Sequence, residues 1–337
     1  GQSFTLDAGE SGDITADKSI TGGGAFTVVD GAVQTYKGNI DVASLDIQDA
    51  TTSVTLGADT SKTVKTATSV DINSGGSLTQ NAKVDAVTSL DYDAAGTIGI
   101  NESITTGTTI DIDAAETTTI AEAGDITSGG AVTFGANKTG TLTTAGEITT
   151  SDDDVTFTNA VTQSGNVEID TGSSGDILFS STVATGDNDL QLDAGSSGNI
   201  TAASSITGGG AMTVVDGAVQ KYSGAITVDS LDIQDATTSV TLDGAVTTQT
   251  TLDIKSGGTL TQNAKVIAGA SVDYDTGGAL NINETIGATG TVDIDSTGVT
   301  TIAEAGDITA GDAVTFGANK TGTLTTAGEI TTTDDNV

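Results

Sequence analysis

The groups in this chain that could do chemistry are carboxylates that recur at a fixed place in a short pattern. The pattern is apolar, Asp, apolar, as in Val70-Asp71-Ile72, and it returns about every twenty residues. Because Ca²⁺ takes several oxygen ligands in flexible arrangements, such rows of aspartates predict Ca²⁺ ions that bridge neighbouring repeats. The candidate metal ligands are Asp71, Asp91, Asp111, Asp93, Asp113, Asp253, Asp273, Asp293, Asp275 and Asp295.

The same rows also fit a solvated acidic face, extended by Asp46 and Asp232. Two carboxylates one strand spacing apart repel by about 1 kcal/mol in water, and by roughly 3 to 4 kcal/mol at an effective dielectric constant near 20. Salt screens part of this repulsion, and the charge keeps the chain soluble. The sequence contains neither a calcium-binding nonapeptide repeat nor an EF-hand loop. Calcium binding and a plain acidic face therefore both remain open.

Catalysis is not favoured by the residue types present. A pair of carboxylates could hydrolyse a glycosidic bond, but the chain has no His, Arg, Cys or Trp to complete a unique site. Much of the sequence also occurs twice, so an active-site cleft in one copy would be expected again in the other rather than at one unique place. We therefore expect no enzymatic activity, with a carbohydrate-active enzyme as the least favoured alternative.

Threonine, tyrosine and lysine give weaker signals. Threonine pairs such as Thr143/Thr144, Thr149/Thr150 and their copies suggest an ice- or glycan-binding face, although their spacing drifts from coil to coil, unlike that of a flat array. The remaining candidates have structural interpretations: inward packing for Tyr92 and Tyr274, corner packing for Tyr36 and Tyr222, and solvated turns for Lys138 and Lys320.

Composition excludes several classes of partner. Forty-six acidic residues against ten basic ones give a net charge of −36, which opposes binding to nucleic acid and to anionic membranes. No apolar run is long enough to span a bilayer. No export signal opens the sequence, so we expect a processed chain, an excised piece or a signal outside it. Hydrophobic content is only 35%, yet the strict patterning of the apolar residues argues against disorder.

A long internal repeat organises the chain. Residues 20–34 return at 206–220 with one difference, and residues 134–150 return unchanged at 316–332. The offset falls from 186 to 182 residues between these blocks, so the second copy has lost four residues. We therefore divide one continuous solenoid, 1–337, into a copy 1–186 and a truncated copy 187–337.

A shorter repeat, mostly of 19 to 23 residues, lies inside each copy and begins with an apolar–polar–apolar pattern, in which the polar residue is often Asp. Alternation with a period of two predicts a strand, and two further apolar marks follow, as at Leu78 and Val84. Glycine-rich turns such as Ser74-Gly75-Gly76 are expected to need positive φ angles. Three short strands per repeat predict an all-β, right-handed parallel β-helix of about 20–22 residues per coil and about sixteen coils. The spacing of only 12 residues from Val155 to Val167 predicts one irregular or shortened coil.

Lines such as Val70-Asp-Ile-Asn-Ser-Gly-Gly-Ser-Leu-Thr-Gln and Val33-Gln-Thr-Tyr-Lys-Gly-Asn-Ile resemble the filamentous haemagglutinin type of repeat, found in large bacterial adhesins and exoproteins. The resemblance covers essentially the whole chain. It implies a right-handed β-helix, export across the outer membrane of a Gram-negative cell, and a role in adhesion, matrix or filaments.

Together these observations predict a non-enzymatic, extracellular structural or adhesive module that forms a rigid rod or filament on or outside a bacterial cell. The expected partners are further coils, joined end to end or within a longer array, and cell-surface glycans or proteins. Apart from possible Ca²⁺, no cofactor is expected, and neither nucleic acid nor a membrane span is involved.

Overall fold

A computed structural model describes residues 1–333 as a parallel β-solenoid of about sixteen turns, with no helix in that range. The strand pairings among the described residues are parallel, and strands pair with their counterparts in the next coil. The expected all-β, three-strand coil is therefore confirmed. The chain divides into two compact units, Gly1–Val167 and Glu168–Val337, which are described separately below.

In the first unit, each coil contributes one strand to each of three faces, which we call the opening, second and third faces. The strand Thr141–Thr150 serves the second face and then the third, and Val161–Asp170 runs across the unit boundary. The opening face contains Phe4–Leu6, Phe26–Val28, Leu45–Ala50, Val70–Ser74, Leu90–Ala94, Ile110–Ala114, Val132–Phe134 and Val155–Phe157. The second face contains Ile14–Ala16, Val33–Tyr36, Ser53–Leu56, Ser77–Gln80, Ile98–Ile100 and Thr117–Ile120. The third face contains Ile20–Thr21, Ile40–Val42, Thr63–Thr66, Lys83–Ala86, Ile104–Thr106 and Ile126–Ser128.

The second unit repeats the three faces. Its opening face contains Leu190–Asp193, Met212–Asp216, Leu231–Ala236, Leu252–Ser256, Val272–Thr276, Val292–Ser296 and Val314–Phe316. Its second face contains Ile177–Phe179, Ile200–Ala202, Val219–Tyr222, Ser239–Leu242, Thr259–Gln262, Leu280–Ile282, Val299–Ile302 and Thr323–Thr326. Its third face contains Val183–Gly186, Ile206–Gly208, Ile226–Val228, Val246–Thr248, Val266–Ala268, Ile286–Ala288, Ile308–Ala310 and Ile330–Thr332.

The core of each unit consists of aliphatic columns that run from coil to coil. On the opening face of the first unit, Val70 stacks on Leu90 and Leu90 on Ile110, and all three are at most 1% exposed. The second and third apolar marks, Leu78 and Val84, are fully buried in columns of their own. Burying such a side chain contributes about 1.5–3 kcal/mol. A single coil has no layer to bury its marks against, so stacking is what makes the fold stable.

The corner glycines are required for a different reason from the one the sequence suggested. Gly75 and Gly76 are not among the glycines with positive φ, so the predicted left-handed turn is wrong there. Instead, a Cβ atom on Gly76 would lie 1.8 Å from the Thr52 carbonyl oxygen of the preceding coil. The corner thus needs glycine because two backbones approach closely. Positive φ does occur at Gly135 and Gly317, which open the two copies of a longer loop.

The short spacing between Val155 and Val167 does not mark a shortened coil, so that expectation is wrong. Val155 closes a column of the first unit by pairing with Val132. Ala160 accepts a hydrogen bond from the Leu142 N–H, so the segment after it continues the second face. In the second unit, Gln191 Nε2 donates to the Glu168 carboxylate at 2.8 Å. The two starts therefore belong to different columns.

Candidate functional site

The predicted aspartate row is in register on the opening face. Asp46 pairs with Asp71, Asp71 with Asp91 and Asp91 with Asp111 in the first unit. The same row forms in the second unit through Asp232, Asp253, Asp273 and Asp293. Paired positions in neighbouring strands lie about 4.8 Å apart. We call these two rows the aspartate ladders.

Partial burial and mutual repulsion disfavour the charged form of the ladder carboxylates. Desolvation first, and then the neighbouring carboxylates, raises the pKa of Asp91 to about 6 and that of Asp273 to about 6. These two are interior members of their ladders, with a carboxylate on both sides. The pKa values of Asp71, Asp111, Asp253 and Asp293 are also raised, with desolvation the largest cause for each.

The second row of predicted ligands is not a free acidic row. Asp113 and Asp295 were expected to face solvent, but they are only 1% and 4% exposed. Asp113 Oδ2 accepts hydrogen bonds from the Asn137 backbone N–H at 3.1 Å and from Asn137 Nδ2 at 2.6 Å. In the second copy, the Asn319 backbone N–H donates to Asp295 Oδ1 at 3.2 Å and Asn319 Nδ2 donates to Asp295 Oδ2 at 2.6 Å. A loop of a following coil therefore covers each of these carboxylates.

The lysine of the same loop binds the other carboxylate of that row. Lys138 Nζ lies 3.0 Å from Asp93 Oδ1, and Lys320 forms the corresponding ion pair with Asp275. Both lysine side chains are about one-quarter exposed. The expectation of solvated turn lysines is therefore wrong. We call residues 135–140 and 317–322 the clamp loops. The sequence feature that could have indicated these contacts is the length of the two loops, which exceeds that of the corresponding loops in the preceding coils.

These contacts bear on which carboxylates could hold a metal ion. Within residues 1–333, no three acidic, histidine or cysteine side chains are grouped to hold one. The clamp loops occupy oxygens of Asp93, Asp113, Asp275 and Asp295. The ladder residues Asp71, Asp91, Asp111, Asp253, Asp273 and Asp293 carry the rest of the calcium hypothesis, which stays a prediction.

The tyrosines are interior residues. Tyr92 and Tyr274 are fully buried in the opening-face columns, as the sequence predicted. Tyr36 and Tyr222 also point inward from the second face rather than packing at a corner. Their hydroxyls donate to Gln34 Oε1 at 2.8 Å and to Gln220 Oε1 at 3.1 Å. All four are therefore structural, and burial raises the pKa of each phenol.

Hydroxyl side chains form an ordered array on the second face of the first unit. Ser53 pairs with Ser77, and Thr55 with Thr79; further along the same face, Thr117 pairs with Thr141 and Thr119 with Thr143. The expected drift in threonine spacing is therefore wrong on this face, because length differences fall in the loops. Thr143 points outward and Thr144 is buried, so only alternate threonines are available. Gly99 interrupts the array between Thr79 and Thr119.

No protein-family model, no curated protein and no solved structure matches this chain. No helix among the described residues is long and apolar enough to cross a membrane.

Proposed function

We propose that this chain is a non-enzymatic structural or adhesive module that acts outside a bacterial cell, of the filamentous haemagglutinin-like type. The observation that carries the proposal is the stacking of similarly patterned coils in register on three faces. The positions that recur from coil to coil serve contacts between coils rather than a single cleft. A chain without His, Arg, Cys or Trp also has few of the groups that usually supply a catalytic site.

Further coils are the partner that the stacking best accommodates. A strand edge presents unpaired N–H and C=O groups that another strand can take up. Phe4 in the first described coil is 54% exposed and stacks on Phe26, and Leu324 in a late coil is 44% exposed. A coil of a second copy would cover such side chains. Joined in this way, the modules would form a rod or filament.

Electron microscopy of the purified chain tests this proposal. We expect unbranched fibres one solenoid wide at high protein concentration, with particles shortening on dilution if the contact is between copies. A variant with Phe4→Asp should shorten them, because a charge would then be buried at the junction. Monodisperse single particles at every concentration would contradict end-to-end joining.

The hydroxyl array supports a second candidate, a glycan- or ice-binding face. Its side chains recur at strand spacing across the sheet and at alternate positions along each strand. Replacing Thr55 and Thr79 by lysine should abolish any inhibition of ice recrystallisation, while the same change at the exposed Thr297 should leave it intact. An unmodified chain that does not inhibit ice growth would eliminate the ice-binding form of this candidate.

A further inference from the structure

Three of the ten lysines meet at one corner of the first unit, in a chain of net charge −36. They line a pocket of about 220 Å³ where the second face turns into the third. The lining residues are Asp17, Lys18, Ser19, Lys37, Gly38, Asn39 and Lys62. We call this the lysine pocket.

The lysines of the pocket come from three successive coils. Each precedes a third-face strand by one to three residues. Those strands are stacked: Ile20 pairs with Ile40, and Ile40 with Val64. The backbone segments that carry the three lysines are therefore neighbours at the spacing of the coils, about 4.8 Å. Such a column of cations would repel itself unless anions lay beside it.

Two carboxylates balance most of this charge. Lys37 Nζ lies 2.7 Å from Asp17 Oδ1, and Lys62 Nζ lies 3.8 Å from Asp59 Oδ1. The local charge is then three positive minus two negative, or +1. Lys37 and Lys18 together lower the pKa of Asp17, so this carboxylate is ionised at neutral pH. The pocket therefore suits one further negative charge, next to hydrogen-bonding groups.

The second copy of the sequence keeps the backbone of this corner and loses its charges. Gly38 and its counterpart Gly224 both lie against the preceding coil, where a Cβ would be 2.4 Å and 2.1 Å from backbone atoms. The residues around them differ in chemistry: Asp17, Lys18, Lys37 and Asn39 correspond to Ala203, Ser204, Ser223 and Ala225. By contrast, the intervening residues 20–34 differ from 206–220 at one position only.

The four extra residues of the first copy also converge on the pocket. Seven residues separate Leu56 from Val64, whereas three separate Leu242 from Val246. The longer loop contains Lys62. Its turn is held by Asp59, whose side chain accepts the Ser61 N–H at 2.9 Å and whose carbonyl accepts the Lys62 N–H at 3.2 Å. The differences between the copies thus build one site.

We propose that the lysine pocket binds a carboxylate-bearing sugar. The lysine ammonium groups would hold the carboxylate, as charge-assisted hydrogen bonds of this kind are among the stronger ones. Asp17 can accept hydrogen bonds from sugar hydroxyls, and Ser19 can donate or accept them. A neutral sugar would leave the charge of Lys18 unbalanced, because Lys37 and Lys62 are already paired with carboxylates. A doubly charged phosphate would exceed the local charge of +1. This inference rests on the proposed adhesive role for the source of the sugar, a cell-surface glycan.

Nuclear magnetic resonance titration of the full chain with D-glucuronate tests the proposal. We expect saturable shifts at the amides of Lys18, Gly38 and Asn39, with much weaker effects from D-glucose or acetate. The variant K18S/K37S, which installs the residues of the second copy, should weaken binding by about tenfold or more. Lys255→Ser, an exposed lysine of the second unit, removes a charge elsewhere and should leave the affinity unchanged. Thermal melting of each variant confirms that it is folded.

Three results would overturn the site: equal shifts from acetate or glucose, unchanged affinity in K18S/K37S, or equal losses in K18S/K37S and Lys255→Ser. The titration is independent of filament formation. Fibres without glucuronate binding would remove the pocket and leave the structural role, whereas binding without fibres would remove end-to-end joining and leave the pocket.

Discussion

At the scale of single residues, the aspartate ladders are a cost that the fold tolerates. Asp91 lies between Asp71 and Asp111 in register, with a raised pKa of about 6. Because this value lies above the ordinary 3.8, the folded chain binds more protons than the unfolded chain between about pH 4 and 6. Protonation of the ladder therefore stabilises the folded chain as the pH falls through 6, and this stabilisation is lost as the pH rises.

Replacing Asp91 with Asn should stabilise the chain at pH 7.5 and flatten its pH dependence. The gain should be roughly 0.5–1 kcal/mol, smaller than the pKa alone implies because solvent screens an exposed carboxylate. Thermal melts at pH 7.5 and 5.5 measure this, and both lie above the isoelectric point near 4.1. Glu10→Gln, an exposed change outside the ladder, is the control. Parallel pH profiles for Asp91→Asn and the parent would contradict the argument.

The clamp loop predicts an effect of the opposite sign. Replacing Asn137 with Ala removes the side-chain donor to the buried Asp113 carboxylate, so stability should fall by about 1–3 kcal/mol. Denaturant unfolding measures the loss, and Thr139→Ala, an exposed neighbour in the same loop, should change it by less than about 0.5 kcal/mol. Equal stabilities for the two variants would show that the clamp contributes nothing.

The residues show how far the sequence alone could predict the site. Asp71, Asp91 and Asp111 were predictable, because they occupy one position of a strong repeat. The Lys138–Asp93 contact could not be predicted, because the two residues lie two coils apart and Lys138 belongs to a loop of unusual length. The lysine pocket was missed for a similar reason: its residues are far apart in sequence. Comparing the two copies position by position would have revealed it.

At the scale of the coil, the question is whether Ca²⁺ bridges the ladder carboxylates of neighbouring coils. If Ca²⁺ bridges neighbouring carboxylates, added Ca²⁺ should raise the melting midpoint above its value in EDTA, and Mg²⁺ should raise it less because it requires stricter geometry. The double variant Asp71→Asn/Asp91→Asn should lose the response. A midpoint that is the same in EDTA and in Ca²⁺ would remove the metal hypothesis.

The corners of the coils provide a second test at this scale. A Cβ at position 76 would overlap the Thr52 carbonyl, so Gly76→Ala should destabilise the chain by roughly 1–3 kcal/mol. Nothing lies within 4 Å of a Cβ at Gly99, a strand residue in the next coil, which makes Gly99→Ala the matched control. Hydrogen exchange should show faster opening of the coils around residue 76. Equal exchange in both variants would contradict the close approach of the backbones.

The coil period, the inward-facing apolar residues and the parallel stacking could be predicted from the sequence, because each depends on a local pattern that is repeated many times. Leu78 and Val84 are buried as their spacing predicted. The column change near Val155 did not follow, since only the pairing with Val132 shows which face each start occupies. Loop length varies without altering the strands, so counting residues alone cannot assign a face.

At the scale of the whole molecule, one property underlies the other features: equivalent residues of successive coils are direct neighbours. The apolar columns, the aspartate ladders, the hydroxyl array and the lysine pocket all follow from that stacking. The adhesive or structural role proposed for the chain depends on it too, because repeated coils are what a module of this kind would present and extend.

Engineered disulfides test the stacking most directly, since the chain has no cysteine of its own. Thr55 and Thr79 are register partners in adjacent coils, at a spacing of about 4.8 Å that a disulfide can span. The variant Thr55→Cys/Thr79→Cys should oxidise quantitatively in the folded chain. The variant Thr79→Cys/Thr119→Cys, two coils apart, should stay reduced because its spacing of about 10 Å is too long. Efficient bridging of the second pair, or failure of the first, would contradict the solenoid.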